Sequence, residues 1–197
     1  MNSIALYFVL LGSSLWLPGL NRDRHGWLGF RYYLAAISLP VGLYIGNVII
    51  SIPLTGLAWI FAATALSGMG FALFREWKYW RGTVCCLWHP IVIFPVLLLA
   101  VAIYRGGIEY LPYPGDETAS WLRYARQVFL ANSYWSDQVV YHLGSYTNGW
   151  PLAIAFSNIF NGGFSDTNGA ILLFFMHVGV LGFVYDLTNW VCRREGI

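Results

Sequence analysis

Two adjacent carboxylates, Asp116 and Glu117, stand near the start of a polar stretch that runs from residue 112 to residue 152 of an otherwise apolar chain. A carboxylate within hydrogen-bond reach of a hydroxyl group can take its proton as a general base. Arg123 and Arg126 follow in the same stretch, and guanidinium groups can offset the negative charge of a phosphate. Any chemistry of this chain is therefore expected in this polar stretch. The alternative is that the two carboxylates only cap a helix and complement its dipole.

The spacing of the apolar residues places these groups on an amphipathic helix. Pro114 and Gly115 favour a turn, and from Glu117 to Ala131 apolar and polar residues recur at helical intervals. The apolar face carries Leu122, Ala125 and Phe129, and the polar face carries Asp116, Ser120, Arg123 and Gln127. We therefore expect a helix that lies on the membrane surface with its charged groups turned toward water.

Three histidines and one further acidic residue are weaker candidates for a functional role. His142 is a candidate for substrate contact, as a ligand or proton shuttle, but no second His or Cys stands at metal-binding spacing from it, and a structural role is the main alternative. His89 and His177 lie in apolar segments, where ionisable residues are functional hypotheses by default and neutral rings bonded to a carbonyl are the alternative. Asp186 is expected to reach the interface or to pair with an arginine. No metal site is predicted.

The composition indicates that the chain is an integral membrane protein. Hydrophobic residues make up 58% of the chain and charged residues 10%, with a mean hydropathy of +0.58, whereas soluble domains carry roughly 25% charged residues. A net charge of +2 gives no footprint for nucleic acid, so no nucleic-acid partner is expected. Cys85, Cys86 and Cys192 lie in or beside apolar segments and form no disulfide framework.

Apolar runs of about 20 residues, each long enough to cross a bilayer, occur five times. They are Ile4–Leu20, Phe30–Ser51, Leu54–Phe74, Thr83–Tyr104 and Gly169–Val191. Basic residues occupy the first and third connections and the C-terminal end, so the positive-inside rule places the N-terminus outside, the C-terminus in the cytoplasm and the loop 105–168 outside. The apolar stretch Trp150–Asn161 is too short for a comfortable span and is expected to lie at the interface, although a crossing is the alternative.

The sequence thus predicts an all-α integral membrane protein with about five transmembrane helices and two exterior juxtamembrane helices. Residues 1–82 would form three N-terminal transmembrane helices. Residues 83–197 would form a second module of one transmembrane helix, the exterior loop and a final transmembrane helix. The stretch Asn161–Asn168 should be a turn, with Asp166 or Asn168 capping the last helix.

The order of features from about Leu87 to Arg194 resembles the opening portion of the GT-C superfamily of membrane glycosyltransferases, which use polyprenyl-phosphate sugar donors. In that family a transmembrane helix leads to an acidic pair, a juxtamembrane helix, a Pro-Leu turn and a second juxtamembrane helix. The corresponding residues here are Asp116-Glu117, Tyr124-Ala125, Trp150-Pro151-Leu152 and Ile159-Phe160-Asn161-Gly162. An arginine-containing end after the last helix, Arg193-Arg194, also fits the family's order.

The resemblance implies a division of roles in the loop. Asp116 would be the general base, and Glu117 would orient the acceptor or hold a divalent cation. Arg123 or Arg126 would offset the charge of the departing lipid phosphate. Tyr124 and Trp150 stand at motif positions and are candidate substrate-binding residues together with His142. The expected setting is the cytoplasmic membrane of a prokaryote.

Two departures from the family pattern leave a second function open. The residues before Pro151 read Thr147-Asn148-Gly149-Trp150, without the basic residue that many members use to hold the phosphate. The family module also has several more helices than are found here. The expectation is therefore a partial or split glycosyltransferase acting on a lipid-linked sugar. The alternative is a non-catalytic accessory subunit that packs against other subunits of a larger membrane complex.

Overall fold

The computed structural model describes residues 3–16, 27–76, 89–105, 121–136 and 149–195. Within these ranges all regular structure is helical, which confirms the predicted class for this part of the chain. The helices are α1 Ser3–Ser14, α2 Leu28–Leu43, α3 Leu54–Glu76, α4 Pro90–Arg105, α5 Leu122–Ala131, α6 Gly149–Ile159 and α7 Asp166–Glu195. A π-helical segment, Tyr44–Ile49, continues α2.

Three of the described helices are long and apolar enough to cross a membrane. They are Leu28–Ile49, which joins α2 to its π-helical segment, Leu54–Phe71 within α3, and α7. The other two apolar helices, Ala5–Ser14 and Pro90–Arg105, are shorter. Both border residues outside the described ranges. The structure therefore supports an integral membrane protein with three candidate spans, and the count of five stays a prediction.

The described residues form two compact units. The first contains residues 3–7, 37–62, 121–136 and 149–173, and the second contains residues 8–16, 27–36, 63–76, 89–105 and 174–195. Helices α1, α2, α3 and α7 contribute residues to both units. The predicted boundary between residues 82 and 83 lies outside the described residues, so the division of the chain at that point stays a prediction.

The first unit is built around α6. Eight consecutive residues of this helix, Pro151–Asn158, are buried, with the ring of Phe156 against that of Phe61 at 5.4 Å between centroids. A Cβ added to Gly169 of α7 would lie 3.5 Å from Ile154. The sequence predicted a juxtamembrane helix here, and a helix is present with its middle buried in the first unit. Its 11 described residues are too few to span a bilayer, and its position at the membrane interface stays a prediction.

The second unit is held by close helix crossings at glycines. A Cβ added to Gly29 of α2 would overlap the backbone of Gly182 in α7, and one added to Gly68 of α3 would overlap the backbone of Gly12 in α1. Small residues let membrane helices approach until their backbones touch. The crossing of α2 and α7 is important for the polar cluster described below, because it brings Asp186 beside the start of α2.

Candidate functional site

The structure describes four of the seven predicted site residues. Arg123, Tyr124 and Arg126 lie on α5, and Trp150 lies at the start of α6. The remaining three, Asp116, Glu117 and His142, lie outside the described residues. The geometry therefore bears on the helix that follows the predicted acidic pair in the sequence, and not on the pair itself.

Helix α5 has a buried and an exposed face, and it matches the predicted faces in part, since Phe129 and Gln127 are both half-buried. Arg123 and Arg126 are exposed, whereas Leu122, Tyr124, Ala125 and Val128 are buried. Residues three apart on a helix are neighbours on its surface, with Cβ atoms about 5–6 Å apart. The two guanidinium groups can therefore act on a single anion.

The two aromatic candidates are packing residues in this structure. Tyr124 is 7% exposed, and its ring lies edge-on to Tyr134 at 6.1 Å. Trp150 is half-buried, and its ring meets Trp121 at 6.4 Å. Their proposed contacts with substrate stay predictions. What the geometry supports directly is that both rings help to fix α5 within the first unit.

The C-terminal end of α5 caps the start of α3. Asn132 adopts a left-handed backbone conformation with φ of 55°, which asparagine tolerates better than most residues. Its backbone oxygen accepts from the Leu54 amide, and its side-chain oxygen accepts from the Thr55 amide, both at 2.9 Å. Its side-chain nitrogen donates to the Thr55 hydroxyl, also at 2.9 Å. The amides of Leu54 and Thr55 belong to the first turn of α3, where a helix leaves its amides without an internal partner.

Asn47, in the π-helical segment, is a second polar link and is fully buried. Its side-chain oxygen accepts from the Tyr134 amide at 2.7 Å, and its side-chain nitrogen donates to the Ile52 carbonyl at 2.7 Å. Both partners are backbone groups, and the bond to the Tyr134 amide is buried, where loss of a hydrogen bond is costly. Asn47 therefore ties the α2–α3 turn to the segment that follows α5.

The π-helical segment also supplies an acceptor for Trp135. The next possible donors to the Val48 carbonyl are residues 52 and 53, but the Ile52 amide donates to Gly46 and Pro53 has no N–H. The Trp135 indole N–H donates to the Val48 carbonyl instead, at 2.5 Å. We call this set of contacts the α5 anchor. It joins residues 132–135 to residues 47–55 through Asn47, Val48, Leu54, Thr55, Asn132, Tyr134 and Trp135.

Two substitutions of Asn132 separate the contribution of its side-chain hydrogen bonds from that of its left-handed backbone conformation. In Asn132→Gly the side-chain bonds are lost but the left-handed backbone is kept, and we expect about 1 kcal/mol of destabilisation from the lost hydrogen bonds. Asn132→Ala should cost about 1 kcal/mol more, because a Cβ disfavours that conformation. Thermal unfolding in detergent measures the difference. An alanine variant as stable as the glycine variant would contradict this assignment.

A further buried asparagine fixes the turn between α6 and α7. Asn158 accepts from the Ser165 amide at 2.6 Å and from the Asn168 side chain at 2.8 Å, and it donates to the Ile154 carbonyl at 2.9 Å. The turn lies where the sequence predicted it. Helix α7 begins at Asp166, where a carboxylate is favourable to the helix dipole.

The second unit contains a separate ionisable cluster. The His89 ring lies 3.1 Å from Asp186, between Nε2 and Oδ1, and the other carboxylate oxygen accepts from the Phe30 amide at 3.2 Å. His89 Nδ1 accepts from the Ile91 amide at 3.3 Å. Because Nδ1 accepts, the proton of a neutral ring is on Nε2 and points at Asp186.

This cluster joins the starts of two helices to Asp186, which lies within α7. Phe30 is in the first turn of α2 and Ile91 in the first turn of α4, and a helix N-terminus attracts a carboxylate or an acceptor nitrogen. The expected partner of Asp186 was an arginine or the interface, and the structure gives His89 and a backbone amide. Two of the three bonds in the cluster satisfy amides in the first turns of α2 and α4, so we interpret it as structural.

Among the described residues there is no group of three or more His, Cys, Asp or Glu side chains that could hold a metal ion.

Sequence reasoning did not single out Asn47, Asn132 or Asn158. The available signal for Asn47 and Asn158 was an amide side chain inside a long apolar run, which must find a partner when buried.

The chain matches no protein-family model, no curated protein and no solved structure.

Proposed function

We propose that this chain is a GT-C-like part of a membrane glycosyltransferase and that it transfers a sugar from a polyprenyl-phosphate donor. Asp116 is the general base in this proposal. Arg123 and Arg126 bind the phosphate of the donor. Glu117 orients the acceptor or holds a divalent cation.

The observation that carries the proposal is the exposed arginine pair on an anchored helix. Arg123 and Arg126 face outward, and the opposite face of α5 is buried in the first unit. The α5 anchor fixes the end of the helix through bonds to residues 47–55. A positioned pair of cations can offset developing charge without reorganising during the reaction. The acidic pair stands a few residues before α5 in the sequence.

The chemistry that these residues support is an inverting displacement. An acceptor hydroxyl attacks the anomeric carbon as Asp116 takes its proton. The bond from that carbon to the phosphate oxygen breaks, and the electron pair leaves with the polyprenyl phosphate. Arg123 and Arg126 stabilise the charge on that leaving group. The sugar changes carrier, and no oxidant or reductant is required.

Neutralising either arginine should weaken binding of a polyprenyl phosphate. A hydrogen bond to a charged group contributes about 1.5 kcal/mol or more, and about 1.4 kcal/mol corresponds to a tenfold change in affinity. We expect Arg123→Gln and Arg126→Gln each to raise the dissociation constant about tenfold. Equilibrium binding to the purified protein in detergent measures this change.

Arg193→Gln is the matched control, because Arg193 is an equally exposed arginine in the last turn of α7. Its affinity for a polyprenyl phosphate should equal that of the wild type. If all three variants lose affinity alike, the binding is a general effect of charge. If neither α5 variant loses affinity, the arginines do not bind the phosphate.

A further inference from the structure

Five aromatic rings form a continuous row where the start of α2 lies against α7. Neighbouring ring centroids are 5.4–6.1 Å apart, and all five side chains are half-buried. Each side chain therefore keeps part of its surface exposed. We call this set the aromatic row. In order along the row its members are Trp190, Trp27, Phe30, Phe183 and Tyr33.

A cation stands at one end of the aromatic row. The guanidinium of Arg194 lies over the Trp190 ring, 5.4 Å from its centroid, and Arg194 is exposed. Phe183, Trp190 and Arg194 are spaced by seven and four residues, so they share one face of α7. An arginine can rest on a ring and still bind a phosphate, because its N–H donors lie at the edge of the guanidinium plane. This surface therefore combines an apolar body with one charged end.

The order of these groups along the candidate spans matches the order of groups in a phospholipid. Trp27 directly precedes one candidate span, and Arg194 lies at the end of another. Arg194 is four residues beyond Trp190, about 6 Å nearer the end of α7, whereas Phe183 is seven residues before Trp190, about 10 Å deeper in the span. Tryptophan rings favour the level of the lipid headgroups. The cation thus stands at the level of the phosphates, and the inner rings stand beside the acyl chains.

We propose that Arg194 and the aromatic row bind one anionic phospholipid of the surrounding bilayer. The phosphate of the lipid accepts hydrogen bonds from Arg194, and an acyl chain lies along the exposed parts of the inner rings. A phosphodiester carries one negative charge, which the arginine over the row can balance, whereas a phosphate monoester carries about −1.5 to −2 at pH 7. The charge therefore favours a phospholipid over a polyprenyl phosphate. This proposal does not depend on sugar transfer.

Equilibrium binding of fluorescent lipids to the purified protein in detergent tests the site. The background is the Arg123→Gln, Arg126→Gln double variant, so that the arginines of α5 do not contribute. In this background we expect phosphatidylglycerol to bind about five to ten times more tightly than the matching phosphatidylcholine. Arg194→Gln should remove this preference. Equal affinity for the two lipids before that change, or a preference that survives it, would overturn the proposal.

Arg193→Gln is the matched control, because it removes the same charge from an exposed neighbour that lies about 100° around the helix from Arg194. An exposed charge without a fixed partner contributes little, so we expect the affinity for phosphatidylglycerol to change less than about twofold. An equal loss in the Arg193 and Arg194 variants would identify a general effect of charge and would overturn the site.

Trp190→Leu tests the row itself. Leucine keeps the position apolar and removes the ring beneath Arg194, so we expect the affinity for phosphatidylglycerol to fall about threefold. A leucine variant that binds phosphatidylglycerol as tightly as the parent protein would overturn the proposal. Polyprenyl phosphate that binds as tightly as phosphatidylglycerol in the same background would overturn the assignment of the site to a phospholipid.

Discussion

Asp116→Asn should abolish sugar transfer from a polyprenyl-phosphate donor while membrane insertion is unchanged. An amide cannot take the proton of the acceptor hydroxyl, and general-base catalysis contributes typically 10²- to 10⁴-fold. We therefore expect a loss of about that size in turnover. The measurement is transfer of a radiolabelled sugar from a panel of polyprenyl-phosphate donors to acceptors in proteoliposomes.

Asp166→Asn is the control for the alternative role of Asp116. Asp166 lies in the first turn of α7, where a carboxylate favours the helix dipole by about 0.3–1 kcal/mol. If Asp116 only stabilises a helix start, both variants should show the same small loss of stability and full activity. Transfer that survives in Asp116→Asn would remove this residue as the base and favour the accessory-subunit alternative.

Asn47→Leu should release α5 from the α2–α3 turn. The substitution leaves the Tyr134 amide and the Ile52 carbonyl without the bonds that Asn47 makes. A buried backbone group left unsatisfied costs about 1–3 kcal/mol, and of the two groups only the bond of the Tyr134 amide is buried, so we expect about 1–3 kcal/mol of destabilisation. Hydrogen exchange at the Tyr134 amide should be faster than in the wild type. In a series of mixed detergents the variant should denature at a lower content of the denaturing detergent than the wild type.

Asn161→Leu is the matched change in the same unit. Asn161 is half-buried, and its side chain makes a longer bond, 3.3 Å to the Gly163 carbonyl. We expect a loss below about 1 kcal/mol there. If the two leucine variants are equally stable, Asn47 does not anchor α5. If Asn47→Leu also weakens binding of a polyprenyl phosphate, the anchor positions the arginine pair as proposed.

Periodicity predicted the parts of this fold that depend on local sequence. The amphipathic character of α5 was predicted from its spacing, and the structure places Leu122 and Ala125 on the buried face and Arg123 on the exposed face. Arg126, which is also exposed, had been assigned to neither face. The turn before α7 follows from its Asn, Gly and Asp residues. Length and hydropathy also predicted spans at α2, α3 and α7, and these helices are long and apolar enough to cross a membrane.

The contacts that hold the site could not be predicted, because they join residues far apart in sequence. A buried Asn47 requires a hydrogen-bond partner, but the packing of the helices determines that this partner is Tyr134. Asp186 was expected to meet an arginine, and the close crossing of α2 and α7 at Gly29 and Gly182 places it beside Phe30 and His89. The burial of α6 likewise depends on the neighbours that surround it.

Photoaffinity labelling tests most directly whether α5 holds the phosphate of a lipid-linked sugar. The probe is a polyprenyl phosphate with a photoreactive group beside the phosphate, applied to proteoliposomes and followed by peptide mapping. We predict labelling of residues 121–136, competed by unlabelled polyprenyl phosphate and lost in the Arg123→Gln, Arg126→Gln double variant. Equal labelling of the exposed apolar surfaces of α3 and α4, without competition, would contradict the account.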